Sequence, residues 1–97
     1  MIERHVTFNV LSGKEADFEK LFNEEYGPAM SAKPGFVSVG LLREQEKPAR
    51  YQMTIRFQDE ETAAGWRKSS EHEGLKPKIK ALYDGSELIV FDVIAGF

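Results

Sequence analysis

Only two regions of this chain repeat apolar residues at helical spacing, yet its strand-like stretches carry apolar side chains on both parities, and that mismatch limits what the chain can fold into. Two helices can cover one face of a small sheet, so the other face should read polar wherever it meets water. Strand two, Phe36 to Leu42, carries Val37, Val39 and Leu41 together with Phe36 and Leu42. Strand four, expected over Leu88 to Phe97, carries Ile89, Phe91 and Val93 together with Leu88, Val90 and Ile94. At ~25 cal/mol per Å², leaving several such side chains wet would cost several kcal/mol and create an adhesive patch. The economical cover for a short chain is a second copy of itself, sheet against sheet about a two-fold axis. The apolar tail after Asp92 is then expected to lie over the partner's edge strand.

The order of elements follows from the remaining pattern. Residues 2–10 alternate, Ile2, Val6, Phe8 and Val10 against Glu3, His5, Thr7 and Asn9, which is strand one. Ser12-Gly13-Lys14-Glu15 offers a capping box for a helix whose stripe is Phe18, Leu21, Phe22, Tyr26, Ala29 and Met30, with Gly27-Pro28 expected to kink its last turn. Lys33-Pro34-Gly35 turns into strand two, and a polar connection from Glu44 to Ala49 leads to strand three, where Tyr51, Met53, Ile55 and Phe57 alternate with Gln52, Thr54 and Arg56. Asp59 with Glu60 and Glu61 suits a helix N-terminus. A second capping box, Ser70 to Glu73, predicts a break near Ser69 and a restart with the stripe His72, Leu75, Ile79, Leu82 and Tyr83, distorted at Pro77 and ended by Asp84-Gly85. The order β-α-β-β-α-β predicts one α+β domain over residues 1–97, ferredoxin-like, with a four-stranded antiparallel sheet and helices on one face, paired into a dimeric α+β barrel.

Composition removes several function classes. Without cysteine there is no disulfide, thiolate nucleophile or sulfur-ligated metal, and two isolated histidines are a poor start for any other transition-metal site, so no metal is expected. A net charge of −3 with interspersed signs offers no basic face for nucleic acid and no polybasic cluster for a membrane surface. Strand three has Gln52 and Thr54 where an RNA-binding sheet of this fold would place stacking aromatics. No run approaches the roughly 18 apolar residues of a membrane span, and Met-Ile-Glu-Arg-His does not begin like a secretory signal, so a cytoplasmic location is expected.

Element order and landmarks together resemble the antibiotic biosynthesis monooxygenase family of dimeric α+β barrels. The landmarks are Leu11-Ser12-Gly13-Lys14 closing the first strand, Pro34-Gly35-Phe36 leading into the second, and Trp66-Arg67-Lys68-Ser69-Ser70-Glu71-His72 in the second helical region. The resemblance implies a small monooxygenase that needs no cofactor and acts on an aromatic or quinol-like metabolite; a non-catalytic small-molecule-binding or dimerisation module of the same fold is the alternative, and haem breakdown a third. Haem-degrading members have an Asn in the first strand and a His ten residues after a helical Trp; here those places hold Val6 and Lys76, which argues against that activity. In quinol-oxidising members a polar aromatic follows the Trp by about six residues, and here it is His72, while an Asn expected one turn before the Trp is replaced by Thr62.

Oxygenation without a cofactor needs a dry pocket and a base of near-neutral pKa, because a deprotonated electron-rich substrate can itself pass an electron to dioxygen. His72 is the candidate base, against its plain reading as a solvated histidine at a helix start. Trp66 is the candidate pocket wall, against a core anchor. Phe8, Tyr26, Tyr51 and Tyr83 are candidate substrate contacts, against ordinary packing, and His5, Thr7 and Asn9, which share a strand face, are candidates to line a polar cavity, against the favoured reading as a hydrogen-bonded strip inside the dimer barrel. On one unbroken helix Trp66 and His72 would point about 120° apart, so their convergence requires the break near Ser69. Ser69 and Ser70 beside His72 do not make a nucleophile, since triad members converge from separate elements.

Overall fold

The computed structural model describes residues 1–97. Strand β1 spans Ile2–Val10, helix α1 Glu15–Leu21, a wider π-type turn Phe22–Tyr26, helix α2 Gly27–Ser31, strands β2 Phe36–Arg43 and β3 Arg50–Phe57, helices α3 Glu60–Arg67 and α4 Ser70–Lys80, and strand β4 Tyr83–Asp92. The four strands form one antiparallel sheet in the order β2-β3-β1-β4. This is the ferredoxin-like β-α-β-β-α-β arrangement, with the helices gathered on one face. The core lies between them: Phe8, Tyr51, Met53, Ile55 and Phe57 from the sheet meet Phe18, Met30, Trp66, Leu75 and Ile79 from the helices.

Several helix ends differ from the sequence expectation, each for a local reason. No capping box forms at Ser12: Gly13 takes φ +84°, the Lys14 N–H donates to the Leu11 carbonyl, and the helix starts only at Glu15 without a side-chain cap. Ser12 is left too far upstream to serve it. Gly27-Pro28 does not interrupt the first helical region either. Pro28 lacks an N–H and its ring crowds the carbonyl four residues back, and the chain relieves this by widening the preceding turn, so that the Gly27 N–H reaches five residues back to Phe22. Asp59 caps α3 as expected, accepting from the Thr62 N–H at 2.9 Å. The second cap sits one residue earlier than expected: Ser69, in an extended conformation, accepts from the His72 N–H, and Ser70 begins α4. Pro77 lies inside α4 without ending it.

The largest shift is in β4. Asp84-Gly85 was expected to stop a helix, and Leu82 and Tyr83 to lie on its stripe; instead β4 begins at Tyr83, runs through both turn-forming residues and ends at Asp92. Pairing with β1 overrides the local turn chemistry, Gly85 lying opposite Asn9 next to an irregularity at Asn9 and Val10. Residues 93–97 fall beyond the strand, tethered where the Val93 N–H meets the Met1 carbonyl.

The face away from the helices is less uniformly apolar than the sequence suggested. Register puts Val39 and Leu41 on the helix side, so the middle of the open face presents Glu3, His5, Thr7, Gln52, Thr54 and Arg56. Its apolar part is concentrated at the margins: Leu42 on β2, Ile89 and Phe91 on β4, exposed by 53 %, 57 % and 42 %, and the tail residues Ile94 and Phe97. Glu3 bridges this face, accepting from Arg56 Nε at 2.7 Å and pairing with His5 Nε2 at 2.6 Å.

Candidate functional site

A cavity of about 290 Å³ opens between the helix-facing side of β1, β3 and β4 and the helices α3 and α4. Its floor is Val6, Met53, Ile55 and Phe57, the inward parity of the two central strands. Five of the six residues singled out by sequence line it: His72, Trp66, Phe8, Tyr26 and Tyr83. Tyr51 does not. It is 2 % exposed beneath α1, its hydroxyl donating to Glu19 at 2.5 Å, and burial together with that hydrogen bond pushes its phenol up from the usual range.

The break between α3 and α4 makes the convergence. Arg67 ends one helix and Ser69 caps the next, its hydroxyl donating to the Trp66 carbonyl at 2.7 Å while its oxygen accepts the His72 N–H at 3.2 Å. One serine thereby fixes the backbone on both sides of the corner. The rings of Trp66 and His72 meet edge to face with centroids 5.1 Å apart, and Tyr26 packs edge-on against Trp66 at 5.5 Å. Trp66 and Tyr26 are buried, and His72 is half-buried. Thr62, the counterpart of the expected Asn, is spent on the helix start: its hydroxyl bonds to Asp59 and it does not reach the cavity.

The electrostatics follow from the lining. Burial lowers the His72 imidazole below its ordinary range, the positive charges of Lys76, Arg67 and Arg4 add to the effect, and Glu73 opposes it. Its Nδ1 is enclosed and makes no hydrogen bond. Burial drives the Tyr26 phenol up to about 12, so it stays a neutral donor at pH 7. The arrangement therefore offers an uncharged base, two aromatic walls, a phenolic donor and an apolar floor.

The sequence reading missed the charge of this cavity. Arg4, Arg67, Lys76 and Lys80 all line it, and no carboxylate does. Arg4 was legible as a cation on the apolar parity of β1; the other three have the spacing of a solvated helix face. No group of His, Cys, Asp or Glu is placed to hold a metal ion. No helix is long and apolar enough to cross a membrane.

The family model for antibiotic biosynthesis monooxygenases matches residues 1–77. Among solved structures, the chain is similar to SnoaB, a cofactor-independent oxygenase from Streptomyces nogalater, with 24 % identity over 98 % of this chain and 94 % of that one and a TM-score of 0.88. It is similar to a structure described as an antibiotic biosynthesis monooxygenase, with 14 % identity over 98 % of this chain and all of the other and a TM-score of 0.86. A conserved protein from Methanosarcina mazei Go1 superposes with a TM-score of 0.84 at 19 % identity, over 93 % of this chain and 89 % of that one. At these identities the likeness is one of fold. No curated protein matches the chain.

Proposed function

The chain belongs to the antibiotic biosynthesis monooxygenase family, and from that premise we propose that the cavity at Trp66 and His72 is the active site of a small monooxygenase that needs no cofactor and acts on an aromatic or quinol-like metabolite. The observation that carries this reading is the corner at Ser69, which turns two residues six apart in sequence onto one cavity with their rings 5.1 Å apart.

In the proposed reaction a planar phenol lies against Trp66 with its hydroxyl toward His72. The neutral imidazole accepts the hydroxyl proton, leaving an electron-rich phenolate. One electron passes from the phenolate to dioxygen, the two radicals join as a carbon–oxygen bond at a ring carbon bearing hydrogen, and the peroxide takes a proton. Loss of that ring hydrogen as a proton then breaks the O–O bond, leaving a carbonyl and releasing water, so that phenol plus dioxygen becomes quinone plus water. Enclosure by Tyr26, Tyr83 and Phe8 keeps bulk water from the anion.

Naphthalene-1,5-diol is a suitable probe, since its oxygenation gives a hydroxynaphthoquinone and water. The expected result is oxygen uptake above the uncatalysed rate, with one atom of labelled dioxygen in the product. His72→Ala should lower turnover about 100-fold. Undiminished turnover in that variant would remove the base, and no uptake by the native protein with any phenol or quinol would favour the alternative of a non-catalytic binding module.

The proposal includes a homodimer formed through the open sheet face and single-domain behaviour of residues 1–97. The exposed apolar margin at Leu42, Ile89, Phe91 and the tail supports the first.

A further inference from the structure

Four cations face this cavity and no acid does, although the chain as a whole carries a net charge of −3. Arg4 projects from the inward parity of β1, between Ile2 and Val6, where the strand pattern calls for an apolar side chain. It is half-buried and has no hydrogen bond or ion pair; burial lowers its pKa, the neighbouring Arg67 lowers it further, and only the nearby Glu60 and Tyr26 oppose this. Arg67 gives Nη2 to Glu60 at 2.6 Å, but its Nη1 is enclosed without a partner, as is Nδ1 of His72. Both guanidinium groups are half-buried, and an enclosed N–H without a partner, as at Arg67 Nη1, costs stability unless something pairs with it.

From this we propose that the cavity selects an aromatic acid: a planar ring system whose carboxylate is held by Arg4 and Arg67 while the ring lies against Trp66. The inference rests on reading this cavity as the substrate site, and narrows it from aromatic compounds in general to anionic ones. A carboxylate suits the unpaired donors because a guanidinium offers parallel N–H groups at the spacing of the two carboxylate oxygens. Lys76 and Lys80, exposed along α4 at the cavity lining, add attraction for an approaching anion. Arg4 and Arg67 act in this scheme as binding residues and His72 as the base, so carboxylate capture and proton abstraction fall on different side chains.

The test measures binding without chemistry. Isothermal titration calorimetry at pH 7.5 compares naphthalene-2-carboxylate, which has no hydroxyl to oxygenate, with the neutral naphthalene-2-carboxamide of the same shape. The carboxylate should bind at one site per chain and at least about tenfold more tightly than the carboxamide. Arg4→Gln should erase most of that preference while moving the carboxamide affinity less than twofold, and Arg67→Gln provides a second variant should the first fail to fold. Equal affinities, or a preference that survives both substitutions, would overturn the proposal, as would the absence of binding by either compound. Carboxylate selectivity in a protein that oxygenates nothing would leave this proposal standing and remove the monooxygenase reading; oxygen uptake with phenols but no carboxylate preference would do the reverse.

Discussion

Because burial, with Lys76, Arg67 and Arg4 behind it, holds the His72 imidazole below its ordinary range against the pull of Glu73, the ring is uncharged at neutral pH and available as a base. Turnover should therefore be flat through neutral pH and fall on the acid side, about tenfold per pH unit once below the lowered pKa, with the bend below the ordinary value of 6.5. Lys76→Met removes one of the charges that lower it and should move the bend upward; a bend that stays in place would show that the limb belongs to another group. The same shift has a stability consequence of definite sign. The unfolded ring titrates at its ordinary value and the folded ring lower, so between the two the unfolded chain binds the extra proton. The stabilisation is complete above pH 6.5 and is lost as pH falls toward the folded pKa. His72→Gln should flatten that part of the profile, read by denaturant unfolding at pH 7.5 and 5.5.

At the scale of elements, the corner between α3 and α4 is held by the Ser69 hydroxyl, which both receives the His72 N–H and donates to the Trp66 carbonyl. Ser69→Ala should cost about 1 kcal/mol in unfolding free energy, typical of a lost N-cap, and should lower activity as well, because the ring pair is set by that corner. Full activity in a destabilised Ser69→Ala protein would separate the cap from the site. Gly35 is the stricter position: φ is +78°, and a Cβ there would lie 2.4 Å from the Thr62 side chain. Gly35→Ala combines backbone strain with a clash and should destabilise by about 2 kcal/mol or more, seen as a lower Tm. These elements differ in how far sequence revealed them. The break was legible because a serine pair and acidic residues interrupt the apolar stripe, although the cap fell on Ser69 and not Ser70. The start of β4 was not legible, since Asp84-Gly85 has the chemistry of a stop and only the ladder to β1 makes it strand. Trp66 and His72 could be named in advance because indole and imidazole are rare and chemically distinctive; Arg67, Lys76 and Lys80 could not, because a cation facing a cavity and one facing water have the same spacing on a helix.

For the whole molecule, the open sheet face decides whether one chain suffices. Its centre is polar and its ionisable members are paired, Glu3 tying His5 to Arg56, and the hydrogen bonds to His5 and Arg56 lower the Glu3 carboxyl from its ordinary range. A paired strip of this kind can face another protein surface without leaving a lone charge. Around it the chain leaves Ile89, Phe91, Leu42, Ile94 and Phe97 exposed, a distribution that water disfavours and a two-fold copy would cover. Light scattering at micromolar concentration should therefore report twice the 11.0 kDa chain. Placing like charges on the margin by Ile89→Glu with Phe91→Glu should yield either a folded monomer or a protein of lower Tm, since both side chains leave the open face of an edge strand and neither belongs to the buried core. Cavity binding discriminates further. The lining side chains all come from the helix side, so a folded monomer should retain ligand affinity unless the partner closes the mouth near Leu88, which is 49 % exposed on the cavity rim. Loss of binding on dissociation, with secondary structure intact, would make the second copy part of the site; a native protein already monomeric and folded at 11.0 kDa would refute the dimer and leave the cavity to be judged alone.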